Sequence, residues 1–170
     1  MAVVNTKGTA VNGADSAPPS PDQNVSLKLH AGRVKESIGV VAAVSGDSIG
    51  STYRLARVKT SIRISQLLLS CSAITGGAAD VGVYDVAANG GAAISQALFA
   101  SAQSLATALT NSDITHESGT FPITAIEQPL WQALGLATDP GKLVDIVATL
   151  SAAAGAAGSV GLKVKFVDGN

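Results

Sequence analysis

The sequence predicts a mostly β protein: an antiparallel β-sandwich, jelly-roll-like, with one short helix at about 124–135 and an extended N-terminal arm. Three observations predict it. From Val34 onward, seven or eight short runs alternate apolar and polar residues, divided by turns rich in Gly, Asn and Asp. The closing run 159–167 sets Val160, Leu162, Val164 and Phe166 on one face and Lys163 and Lys165 on the other, one dry and one wet. Residues 1–33 differ from all of this and sustain neither a strand nor a helix period. Short strands of this kind pack as two antiparallel sheets around one core.

Asn, Ser, Thr, Gly, Asp and Pro dominate residues 1–33, with Pro18, Pro19 and Pro21 clustered. Such a segment carries too little apolar surface to order itself. It reads either as a disordered tail or as an arm that orders by lying on a neighbour. Val3, Val4, Val25, Leu27 and Leu29 would be its apolar handles, and the alternation at 25, 27 and 29 suits addition to another sheet. The sandwich domain is expected over 34–170.

The strands follow in order. Residues 34–44 contain Ile38, Val40, Val41 and Val44, and 45-SGD-47 turns the chain. Residues 51–59 alternate Tyr53, Leu55 and Arg57 against Arg54, Ala56 and Val58. The Ile- and Leu-rich run 62–71 reads as a central strand, with Ile62 and Ile64 sharing a face with Leu68. Residues 80–86 alternate Val81 and Val83 against Tyr84 and Val86, and Asn89-Gly90 is a tight-turn signal. Residues 93–110 fit two patterns. Leu98, Ala102, Leu105 and Leu109 stand at helical spacing, but the β flanks favour strand, and strand is expected. Loop and strand resume around Ile114, Phe121 and Ile123. A helix is expected from Thr124, with Glu127 completing a capping box, a stripe of Ile126, Leu130, Trp131 and Leu134, and Gly135 as the stop. The run 142–150 alternates Val144, Ile146, Ala148 and Leu150 against Asp145, Val147 and Thr149.

Composition points to assembly. The chain has 170 residues, the usual size of one domain. Hydrophobic residues make up 46% and charged residues 14%, well below the usual quarter or so. A surface with so little charge is poorly protected against association unless its faces are covered. The net charge of -1 excludes nucleic-acid binding by bulk electrostatics. Residues 1–63 hold eight basic and four acidic residues, net +4, and residues 64–170 hold three and eight, net -5. That polarity either orients contacts between neighbouring subunits or is scatter over two faces. The one cysteine, Cys71, cannot form an intrachain disulfide and is expected to be buried. No apolar run of about 18 residues is present, so no transmembrane helix is expected. No secretion signal is seen, and synthesis in a reducing cytoplasm is expected.

Chemistry is hard to find. His30 lies in the arm, and His116 stands beside Glu117 in a polar, solvated loop. One Cys and two distant His cannot supply zinc spacing. There is no G-x-S-x-G elbow, Walker loop or G-x-G-x-x-G. Asp80 and Asp85 are five apart and face opposite sides of a regular strand. No catalytic residue, metal or cofactor is expected, and Trp131 reads as core or interface filling. The best interaction feature is basic: Arg54, Arg57, Lys59 and Arg63, with Arg33 at the end of the arm. It would meet an acidic partner surface, and a plain solvated sheet face is the other reading. Nucleic acid is the weaker partner, because aromatic interleaving ends with Tyr53.

The runs 47-DSIGSTYRLARVKTSIRISQLLLSCSAITGGAADVGVYDVAANGGAAI-94, 130-LWQALGL-136 and 145-DIVATLSAAAGAAGSVGLKVKF-166, with the opening 4–15, resemble small structural proteins of tailed phages and prophages. The likeness covers most of the chain and is one of overall pattern, without a diagnostic site. It implies a head decoration, or cement, protein: a jelly-roll or sandwich that oligomerises, as a trimer or dimer, on the outside of a phage head. Its partner would be the major capsid protein, whose neighbouring subunits it would fasten together. Its place would be the virion surface, after synthesis in the bacterial host cytoplasm. The family has no catalytic residues to carry over, and no membrane or direct nucleic-acid contact is implied. A tail, neck or head-fibre component contacting a host surface shares these traits, and a carbohydrate-binding sandwich is the reading from another class.

Overall fold

In the computed structural model, which describes residues 32–168 and the isolated Thr6, eight strands follow one another. They are β1 (Val34–Ala43), β2 (Thr52–Lys59), β3 (Arg63–Cys71), β4 (Ala78–Asp85), β5 (Ala93–Ser104), β6 (Leu109–Asp113), β7 (Leu143–Ala152) and β8 (Gly158–Val167). They form two four-stranded antiparallel sheets, in the orders β1-β8-β3-β6 and β2-β7-β4-β5. Successive strands thus mostly alternate between sheets, and both orders nest the late strands between the early ones. This is the eight-stranded double Greek key of a jelly roll. The arm lies outside the described residues, apart from Thr6, Gly32 and Arg33.

The binary pattern explains the layering. Val160, Leu162 and Val164 on β8 are fully buried between the sheets, and Lys163 and Lys165 point the other way. β8 pairs with β1 and β3 on its two sides, so its inward row is covered along its length. β7 is buried on both faces from Val144 to Leu150. Its inward row joins the core, and its outward row lies under side chains of β2 and β4. Phe99 and Phe121 meet edge-on, ring centroids 5.4 Å apart, at the end of the core nearest β5.

Residues 93–110 resolve as strand. β5 runs to Ser104, and a short connection leads to β6. Helical spacing of Leu98 and Leu105 therefore reflects two inward side chains on either side of an irregular stretch, where Ala102 takes a positive φ of 50°.

Two expectations change. Leu68 does not share a face with Ile62 and Ile64. The β3–β8 register shifts between Ile64 and Gln66, and after that bulge Leu67, Leu69 and Cys71 turn inward instead. The short helix expected at about 124–135 lies within those bounds but is shorter. Thr124 lies inside a single 3-10 turn, Ile123–Ala125, and caps nothing. Only Leu130–Ala133, α1, is α-helical. Pro129 supplies the reason: it has no N–H to donate, and its ring disfavours helical geometry at Gln128. The first N–H groups of α1 are instead satisfied by the β2–β3 connection, Leu130 donating to Ile62 O at 2.7 Å and Trp131 to Thr60 O at 3.0 Å. Leu130 is the buried anchor of this turn, and Trp131 is only half-buried.

Candidate interaction surface

The basic residues singled out from the sequence do not form one patch. Arg54, Arg57 and Lys59 lie on β2, at the edge of one sheet, and Arg63 begins β3 in the other. Arg33 is exposed just before β1. Val3, Val4, Val25, Leu27 and Leu29 lie outside the described residues.

Simple alternation put Arg54 and Arg57 on opposite faces. The structure brings them together, because the β2–β7 register shifts between Arg54 and Ala56. The bulge adds one residue, so positions three apart share the outward face. Both guanidinium groups then converge on one carboxylate of β7. Arg57 donates from Nε to Asp145 Oδ1 at 2.7 Å and from Nη2 to Oδ2 at 3.0 Å, and Arg54 donates from Nη1 to Oδ2 at 2.9 Å. Asp145 is almost fully buried beneath them. Burial would raise its carboxyl, but the hydrogen bonds from Arg57 and Arg54 and their charges outweigh that and hold it below the usual range.

Arg54 reaches further. Nη1 also donates to Asp85 O at 2.8 Å and Nη2 to Gly91 O at 3.0 Å, which ties β2 to the 86–92 turn. Its guanidinium carbon lies 6.0 Å from the Tyr84 ring centroid, and the Tyr84 hydroxyl pairs with Thr149 Oγ1 at 2.7 Å. Lys142 closes the group with an ion pair to Asp85 at 2.9 Å. Asp145 was the residue that sequence reasoning passed over. Its signal was a lone acid in the apolar run 142–150, where a buried charge demands a partner.

Part of the charge polarity along the sequence is thus consumed inside the fold. Early arginines meet a late aspartate here, and Lys35 pairs with Asp168 at 2.9 Å. Asp80 and Asp85 serve different ends: Asp80 accepts from Ala102 N at 2.7 Å and from Gln96 Nε2 at 2.8 Å. His116 is less solvated than expected. Its ring stacks on Phe121 with centroids 5.2 Å apart, and Nδ1 lies 2.7 Å from Phe121 O. Its neighbour Glu117 accepts from Ser101 N at 2.7 Å. Cys71 is buried, its thiol pushed up by burial. Among the described residues, no three His, Cys, Asp or Glu side chains cluster as metal ligands. No helix among them is long and apolar enough to cross a membrane.

No family model matches the chain, and no curated protein matches it. The fold is similar to that of a chain in the cyanophage Pam1 capsid asymmetric unit. The TM-score is 0.50, and the match covers 98% of this chain and 99% of that one. Identity is 16%, so the likeness is one of fold.

Proposed function

We propose that the chain is a structural protein of a phage virion, a decoration protein that binds the outside of the head and bridges capsid subunits. The observation that carries this reading is the end-to-end fold likeness to a chain of a phage capsid asymmetric unit. The sequence pattern supports it independently, and so does a site whose charged groups are spent on holding strands together. The action is mechanical. A chain that binds only the assembled shell stabilises it by mass action, without chemistry. The partners are the major capsid protein and further copies of the chain, with Lys59 and Arg33 as solvent-facing cations toward an acidic surface.

Residues 1–33 are the docking strap in this reading. The test locates the chain in a reconstruction of its particle and compares the full chain with a variant lacking residues 2–30 in a capsid-binding assay. Density on the head exterior, with much weaker binding by the folded truncated form, is expected. Co-sedimentation with tails after particle disruption would overturn the reading.

A further inference from the structure

Four strands border the two sheets: β1 and β6 in one, β2 and β5 in the other. Three of these edges are blunted. β6 has five residues, its register with β3 slips between Leu69 and Cys71, and Asn111 takes a positive φ of 52°. β2 carries the bulge beside Arg54. β5 slips against β4 at three places. Short lengths and bulges are the usual means by which sheet edges avoid pairing with other chains.

β1 has none of them. Its ten residues pair with β8 in unbroken register, and among the described residues β8 is its one strand partner. Val34, Glu36, Ile38, Val40 and Ala42 form its outward row, every one exposed. Val34, Ile38 and Val40 are 60%, 59% and 67% exposed. A long, unbroken edge with a mostly apolar outer row is a standing invitation to another strand.

We propose that β1 is a self-pairing edge: two copies join antiparallel across it, about a two-fold axis near Ile38 and Gly39, and fuse two four-stranded sheets into one. The pattern of the strand favours a second copy over a foreign segment, because β1 is complementary to itself. With the axis at Ile38, Ile38 faces its own copy, Glu36 faces Val40 and Lys35 faces Val41. With the axis at Gly39, Ile38 faces Val40, Glu36 faces Ala42 and Lys35 faces Ala43. Both registers place each charge opposite an uncharged residue, whereas an axis at Glu36 or Lys35 would set like charges face to face. The antiparallel contact is isologous, so it closes at two copies and does not propagate. The proposal rests on the self-association in the proposed function and is independent of the capsid role, which is tested separately by particle binding.

The full-length chain is followed by sedimentation velocity from about 1 to 100 μM, beside the variant I38K/V40K. The wild type forms dimers, and the variant, with circular dichroism and melting unchanged, dissociates at least about tenfold more readily. A second variant, I38C/V40C, forms interchain disulfides under mild oxidation, with the buried Cys71 left in place. Ile123→Cys, at a position 72% exposed and off the strand, does not. A monomer at every concentration, a trimer, a dimer indifferent to I38K/V40K, or equal cross-linking at the two sites each overturns the proposal.

Discussion

Arg57 grips Asp145 at two points, Nε to Oδ1 and Nη2 to Oδ2, while the carboxylate itself is almost out of reach of water. The pair joins an edge strand to a central one, and Arg54 shares the same acceptor. Asp145→Ala leaves two guanidinium groups facing each other without the charge that reconciles them. The Arg57 side chain is about half exposed and regains water, so the loss falls below that of a fully buried pair. A destabilisation of about 2 kcal/mol is expected, read from urea unfolding. Asp145→Asn, which keeps the volume but not the charge, should recover only part of it.

Acid should weaken the fold late. Asp145 and Asp113 are both held below the usual carboxylate range. In each, burial acts in the opposite sense and is outweighed, by Arg57 and Arg54 at Asp145 and by Thr115 and Gln66 at Asp113. A carboxyl with a depressed folded pKa contributes stability above its unfolded value of about 4 and loses it as pH falls through the folded value. Thermal melts between pH 7 and 5 should therefore show little change from these groups, with the decline setting in below about pH 4. Asp145→Asn should flatten that decline.

Tyr53 governs the alkaline side. Burial first, then the hydrogen bond to Asp47 at 2.7 Å and its negative charge, push the phenol up to about 12. An acid raised above its unfolded value of about 10 stabilises the fold below that value. The contribution fades as pH climbs from about 10 through 12. Spectrophotometric titration should show Tyr53 ionising late, and Tyr53→Phe should remove that late step.

Phe99 is fully buried and meets Phe121 edge-on. Phe99→Ala opens a cavity that the rigid sheets cannot close, at a cost of about 4 kcal/mol. Phe166→Ala, at a partly buried position on the rim of the core, should cost markedly less. Paired denaturant titrations measure both.

The Cys71 thiol is buried and raised by that burial, with Sγ 3.6 Å from Thr107 O. Reaction with a disulfide reagent should be slow in the native protein and fast in denaturant. Rapid labelling of the native chain would show that the end of β3 opens freely.

Much of the sandwich was legible because its cue is local. The two-residue period of 159–167 needs no partner to be read, and it becomes a strand with one buried face, as expected. Two misreadings share one cause. The slip after Ile64, which turns Leu67 and Leu69 inward, and the bulge that unites Arg54 with Arg57 are both set by registers with strands far away in sequence. No local period encodes them. The helix expected over 124–135 is present but confined to Leu130–Ala133: the capping box at Thr124 and the start at Pro129 competed, and proline prevailed because its constraint is covalent. The pairing of Arg54 with Asp145 was hidden for the first reason, since the partners stand 91 positions apart.

The nesting of late strands between early ones has a consequence for how the molecule is made. β8 fills the gap between β1 and β3, and Lys35 waits 133 positions for Asp168. Chains emerge from the ribosome at about 5–20 residues per second, so β1 and β3 spend many seconds with no neighbour between them. Contacts this distant also close slowly once the chain is complete. A chain that stops before Gly158 is therefore no smaller version of the protein: its first sheet lacks the strand that joins its two halves. Any folding intermediate lives with open edges, and translation speed and chaperone supply become determinants of how much folded protein a cell can make.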